Sequence, residues 1–198
     1  MANSCSWISS RCSTNGRVCT QPLMRSPSNK PARPPKIELS SIRELYLHFE
    51  EIFLADRKSL IISPCGHKIY CFEHHFFHMS GVMVDGMKEL SMPRERKTIL
   101  ETVDGFAHYK LRENGSRAKH LRSAREALEN PDEIWTDNPR VNSAKWVYVK
   151  EFDSKPYPFS IALVGEWEAN STILVPFSSF ACDKNSARKW RQTKKIHP

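Results

Sequence analysis

Lys145-Trp146-Val147-Tyr148-Val149-Lys150-Glu151-Phe152 is the stretch whose reading decides the fold. It alternates Trp146, Tyr148 and Lys150 on one face with Val147, Val149 and Glu151 on the other, the period-two pattern of a β-strand. Two further strand-length runs follow, at residues 159–167 and 171–177, with Glu168-Ala169-Asn170 between them as a tight turn. The C-terminal part is therefore expected to be a three-stranded antiparallel meander.

Working upstream, Ser116 is placed to cap a helix over residues 117–129, which stops before Asn130-Pro131. Pro93 opens another helix, running through Ile99 and Leu100. Residues 73–80 form a short helix in which aromatic and apolar side chains alternate with histidines. Leu60-Ile61-Ile62 and Lys68-Ile69-Tyr70-Cys71-Phe72 read as two short strands around a turn, with Pro64 at position i+1 and Gly66 at i+3. Ser41 and Glu44 make a capping box, and Ile42, Leu45, Phe49, Ile52 and Phe53 follow at helical spacing. Helices first and strands afterwards predict an α+β domain, with N-terminal helices and a short hairpin packed on a C-terminal antiparallel meander.

Residues 1–40 differ in kind. Residues 1–36 are rich in Ser, Pro, Arg and Asn and hold six Lys/Arg and no acid. Such a stretch cannot bury enough apolar surface to offset its chain entropy, so residues 1–40 read as a disordered basic arm in front of a single domain over residues 41–198. Residues 184–198 hold six more Lys/Arg and no acid, and read as a basic tail. The formal charge of +8 thus resides in the two ends, and the body between them is net acidic. Basic ends of this kind contact polyanions without choosing sequence, or simply keep a protein in solution. Within the body, residues 94–125 are locally basic, with nine Lys/Arg against four acids.

No apolar run reaches the roughly 18 residues of a membrane span, and residues 1–20 lack the apolar core of a secretion signal. With no such signal, the six cysteines point to no disulfide framework, and a reducing, cytoplasmic setting is expected.

Four groups of side chains can carry chemistry. His74, His75 and His78 lie within one and a half turns of one helix and can serve as acid and base near neutral pH, or can be hydrogen-bonded packing residues. Cys65, His67 and Cys71, with one of those histidines, give a C-x-H-x3-C-x2-H spacing that zinc rarely uses; no metal or other cofactor is expected. Arg117 and Arg125 flank the buried stripe of the helix over 117–129, with His120 and Arg122 on neighbouring faces. Each arginine either snorkels to solvent or aims a planar fork at a phosphate bound on the sheet. Lys150 needs a partner if its strand face meets the helices; if that face is open, Trp146 and Tyr148 beside it are platforms for bases. Ser178 and Ser179 are expected where the chain leaves the last strand, and Arg188, Lys189 and Arg191 follow in the tail.

The segment Leu128-Glu129-Asn130-Pro131-Asp132-Glu133-Ile134-Trp135, followed by the aromatic strand that bears Lys150, resembles the phage-associated members of the barnase–EndoU–colicin–RelE-like nuclease group. The similarity runs from about residue 59 to 195. It includes Phe177-Ser178-Ser179-Phe180, where that family's turn often carries threonine. The resemblance implies a barnase/RelE-like fold and a metal-independent endoribonuclease, with tRNA among its possible substrates. In that chemistry a 2′-hydroxyl attacks the neighbouring phosphorus under acid/base catalysis. It implies catalytic roles for His74, His75, His78, Arg117, Arg125, Lys150, Ser178 and Ser179. RNA contacts would come from His120, Arg122, Trp146, Tyr148, Arg188, Lys189 and Arg191. RNA is the implied partner, with room for an inhibitor or immunity protein in a phage or toxin setting. The alternative is a catalytically inactive RNA-binding or protein-interaction module of the same fold.

Overall fold

The computed structural model describes residues 30–38, 41–57, 59–84, 96–105, 109–111, 117–136, 146–167, 172–191 and 194–197. Ser116, Pro93, the 168–170 turn and most of the basic arm, on which expectations were placed, lie outside these residues.

The first helix, α1, spans Ile42–Phe53, and Ser41 caps it by accepting from the Glu44 N–H. Its buried face is Leu45, Tyr46, Phe49, Ile52 and Phe53. The hairpin follows as β1 (Leu60–Ile62) and β2 (Lys68–Tyr70), joined by a turn closed from Gly66 N to Ser63 O at 2.8 Å. Gly66 sits at φ 84°, a backbone region closed to most side chains. Helix α2 (His75–Ser80) ends on Gly81 at φ 68°, and β3 (Val82–Val84) leaves from there. Helix α3 (Arg96–Gly105) and β4 (Tyr109–Leu111) come next, with β4 antiparallel to β3.

The predicted 117–129 helix is broken in two. Residues Ala118–His120 form a 3-10 turn, and α4 runs Leu121–Glu129. The break falls at His120, with φ −113° and ψ 16°, so Arg117 lies outside α4. The chain then forms β5 (Glu133–Thr136), β6 (Trp146–Glu151), β7 (Phe159–Glu166) and β8 (Leu174–Cys182), followed by helix α5 (Lys184–Trp190) and β9 (Lys194–His197).

Seven strands make one sheet in the order β1-β2-β8-β7-β6-β5-β9. All pairings within it are antiparallel except β2 with β8, which is parallel and is held at Ile69↔Leu174. The expected α+β architecture and meander are present, and the hairpin joins the meander through the pairing of β2 with β8. The tail is a correction. Asp183 caps α5 by accepting from Ser186 N–H, and β9 pairs with β5, so the C-terminal basic residues belong to ordered elements.

Both faces of the sheet are covered. On one, α1, α2 and α4 pack over Ile61, Ile69, Tyr148, Ala162, Val164 and Leu174. Ala124 and Ala127 keep α4 close to β6 and β7. On the other, α5 places Ala187 and Trp190 against Val147, Val149, Phe159, Ile161 and Leu163. Fully burying each large side chain contributes about 1.5–3 kcal/mol, so the aromatic cluster Tyr46, Phe49, Phe53, Phe76 and Phe77 is a principal anchor of the helical layer. Residues 30–38 run along the body, where Ile37 N donates to Lys119 O and Asp153 N to Pro31 O.

Candidate active site

β8 continues five residues beyond Phe177, which corrects the expectation that Ser178 and Ser179 leave the sheet. Ser178 lies opposite Leu163 and Ser179 opposite Ala162. A register shift between Leu163 and Val164 sets Pro176 against Val164 and leaves Phe177 as the extra residue. Bulges of this kind re-aim the side chains beside them. Since β2 meets β8 only at Leu174, the stretch from Pro176 to Cys182 pairs with β7 along one edge and has no strand partner among the described residues along the other, where α2 packs against β8.

Arg117 lies against that edge. Its Nη1 donates to Ser178 Oγ at 2.8 Å and approaches the His78 carbonyl at 3.5 Å. Gly81 is what lets it pass. A Cβ added there would lie 3.2 Å from Arg117 Cδ, and the positive φ disfavours any side chain. Arg117 is one wall of a cavity of about 440 Å³ that is completed by Phe180, Ala181, Cys182, Ser186, Lys189 and Trp190. The Trp190 and Phe180 rings meet at 52° with their centres 5.4 Å apart. The cavity therefore joins a guanidinium, an ammonium, a hydroxyl and two aromatic rings. His78 is exposed on the last turn of α2, and it is its backbone carbonyl that Arg117 approaches.

The other predicted residues are elsewhere. Lys150 is buried on the helix-facing side of the sheet, where its Nζ donates to Asp132 Oδ1 at 2.9 Å. The second oxygen of Asp132 accepts from Glu151 N–H at 2.7 Å, so the Asp132 carboxylate clamps β6 to the chain that enters β5. On the same strand face, Tyr148 is fully buried, with its hydroxyl 2.6 Å from His67 Nδ1, and Trp146 is half-buried beside the His67 ring. Neither presents an open platform. Arg125 forms an ion pair with Glu129 at 2.6 Å, and with Arg122, Glu51 and Ile52 it lines a different cavity of about 280 Å³. His120 is buried, 3.5 Å from Arg33, and burial together with the nearby cations pushes it down to about 4. Arg191 is bound to the Glu133 carboxylate across the α5 side. Arg188 is exposed near the end of α5. Ser179 is buried in β8.

His74 and His75 lie at the start of α2, with Phe72 and Trp167. His75 Nδ1 accepts from the Phe72 N–H at 2.9 Å, which fixes that nitrogen as the unprotonated one. Burial, and then the neighbouring His74 and His78, push His75 down to about 3, so it is a neutral packing residue near pH 7. Cys71 is fully buried with its thiol pushed up to about 12, and Cys65 is exposed with Sγ 3.1 Å from Ser63 Oγ. Among the described residues no three His, Cys, Asp or Glu side chains gather as a metal-holding group, and no helix is long and apolar enough to cross a membrane.

Of the predicted set, then, the structure gathers Arg117, Ser178 and Lys189 in one place, with the backbone carbonyl of His78 at Arg117. It separates Lys150, Arg125, His74 and His75 from them. Sequence reading missed Gly81, Phe180, Ser186 and Trp190. The signal for the last two was Asp183 three residues before Ser186, a helix-capping spacing inside what reads as a tail.

No curated protein and no solved structure matches the chain significantly. Residues 89–198, more than half of the chain, match the family described as phage-Barnase-EndoU-ColicinE5/D-RelE like nuclease2, a span that contains Arg117, all of β8 and α5. This chain belongs to that nuclease-like family.

Proposed function

We propose that the protein is a metal-independent endoribonuclease whose phosphate-binding centre is the cavity beside β8. The observation that carries the reading is the placement of Arg117 with Lys189 and Ser186 around one cavity, with Arg117 held by Ser178 and the His78 carbonyl. A planar guanidinium suits the oxygens of a phosphate, and a second cation beside it stabilises the extra negative charge of a five-coordinate phosphorus. The membership of the chain in a nuclease-like family supports a nucleic-acid substrate.

In this mechanism His78 takes the proton of the ribose 2′-hydroxyl as that oxygen attacks phosphorus. The bond from phosphorus to the 5′-oxygen breaks, and the Lys189 ammonium supplies the proton that the leaving oxygen takes up. The products are a 2′,3′-cyclic phosphate and a free 5′-hydroxyl. Ser178 is a positioning residue that holds Arg117. The basic residues before Lys30 add non-specific attraction to the RNA backbone, and residues 41–198, with residues 30–38 packed along them, form one domain.

The test is incubation of folded protein with single-stranded RNA, and with tRNA, in the presence of EDTA. Cleavage with 2′,3′-cyclic phosphate ends, and no cleavage of DNA of the same sequence, is the expected result. Intact RNA overturns the nuclease reading, and binding without cleavage assigns the protein as a silent RNA-binding module. Activity lost on chelation overturns the metal-independent mechanism.

A further inference from the structure

A further cavity, of about 230 Å³, lies at the other end of α2 from the Arg117 cavity and is lined by Phe72, His74, Trp167 and Ile173. Its rings differ from those of the core. In the core, Tyr46 meets Phe76 at 90°, and Phe49 and Phe77 each meet Phe76 at 65°, the edge-to-face packing that fills space. Along Tyr70, Phe72 and His74 the rings are close to parallel, at 10° and 16°, with centres 6.4 and 5.7 Å apart. Trp167 stands across them at 66° to Phe72 and 57° to His74, as a wall. Phe72 and Ile173 are 38% and 39% exposed, so the surface is open rather than sealed. It is also held in place: His75 binds the Phe72 N–H from beneath, and Trp167 N donates to Ile173 O at 2.9 Å.

From these observations we infer that Phe72, His74 and Trp167 form a nucleobase-stacking subsite for the same RNA strand whose phosphate is held at Arg117. Parallel, partly exposed ring faces accept any base, since every base has a π-face. The two cavities sit at opposite ends of α2. His74 to Gly81 spans about 10 Å of helical rise, a gap that a short run of nucleotides bridges. A strand lying along α2 thus meets the rings with one base and the cationic cavity with a phosphate a few nucleotides away. The pre-set ring geometry lowers the ordering cost of binding. The inference rests on the proposed nuclease reading for the identity of the strand.

The test reads binding, so that it fails separately from the claim of cleavage. A fluorescein-labelled, 2′-O-methylated RNA octamer, which cannot be cleaved by 2′-hydroxyl attack, is titrated with full-length protein and followed by anisotropy. Trp167→Leu and Phe72→Leu keep apolar volume but remove the ring face. Each is expected to weaken binding on the order of tenfold at every salt concentration, without changing the salt slope, while Trp167→Phe recovers most of the affinity. An octamer with one abasic position is expected to bind wild type more weakly than the intact octamer, and the Leu variants equally to it. Leu variants with native circular dichroism that bind the octamer like wild type overturn the subsite, as does a wild type that binds no octamer. Ring-dependent binding together with uncleaved RNA in the EDTA assay leaves the subsite standing and overturns the nuclease reading alone.

Discussion

Arg117 and Lys150 are both cations whose side chains reach the sheet of a basic, nuclease-like protein, and the structure uses them in opposite ways. Lys150 lies within the fold, with Asp132 closing over it and clamping the adjacent strand. Arg117 lies across an outer strand edge, on the wall of a cavity that also holds Lys189 and Ser186. The difference is one of position, not residue type. A cation between sheet and helices needs a carboxylate to be tolerated there, whereas a cation at an open edge can meet a ligand. Arg125 and Arg191, with Glu129 and Glu133, fall on the Lys150 side of this contrast.

The predictions bear on that contrast in decreasing size. His78→Ala, if His78 is the base beside Arg117, lowers kcat by on the order of 10²–10⁴-fold in the RNA cleavage assay, with thermal stability unchanged because the side chain is exposed. A loss below threefold would remove His78 from the mechanism. Gly81→Ala attacks the same side indirectly. It crowds Arg117 Cδ and strains the left-handed cap, so we expect at least a tenfold fall in cleavage with a stability loss of about 1 kcal/mol. Cleavage at the wild-type rate would show that the position of Arg117 is not critical.

Lys150→Met tests the other side. It should cost about 1–3 kcal/mol in urea unfolding, less than a fully buried pair because Asp132 is partly exposed, and leave cleavage per folded molecule within threefold. A large kinetic loss without destabilisation would return Lys150 to the active site. Lys189→Gln, finally, should lower the slope of log affinity against log salt by about one unit, and removal of residues 1–29, which spares the segment packed on the body, should lower it further.

Acid should weaken the fold through His75. Its folded value lies near 3, below the ordinary histidine value of the unfolded chain, so between about 3 and 6.5 the unfolded state binds the extra proton. Stability is then full above pH 6.5 and falls as the pH drops, by up to about 1.4 kcal/mol per unit, until the folded value is reached. His75→Asn, which keeps an acceptor for the Phe72 N–H, should flatten this acid limb in urea unfolding between pH 7 and 4. An unchanged limb would place the acid sensitivity elsewhere, for instance at buried His120.

Local signals were legible in the sequence and long-range ones were not. Ser41 with Glu44, Pro64 with Gly66, and the alternation across Trp146–Glu151 each specify an element from within a few residues, and each is found. Pro176 reads as a strand end because it has no N–H for a ladder. The structure accommodates it at the bulge, on an edge where β2 has already stopped, and β8 runs on. The charge of residues 184–198 masked α5 and β9, whose apolar contribution is little more than Ala187, Trp190 and Ile196. That Lys150 on a helix-facing surface needs a partner follows from its strand pattern. That the partner is Asp132 depends on how the chain before β5 lies along β6, a pairing set by tertiary packing. The meeting of Arg117 with Ser178 depends likewise on the 3-10 break, Gly81 and the bulge acting together.

Single-turnover cleavage of one RNA in EDTA, by folded Arg117→Ala and Arg125→Ala side by side, tests the contrast most directly. The account predicts a fall on the order of 10²–10³-fold for Arg117→Ala and less than threefold for Arg125→Ala. Equal losses, or a loss confined to Arg125→Ala, would contradict it.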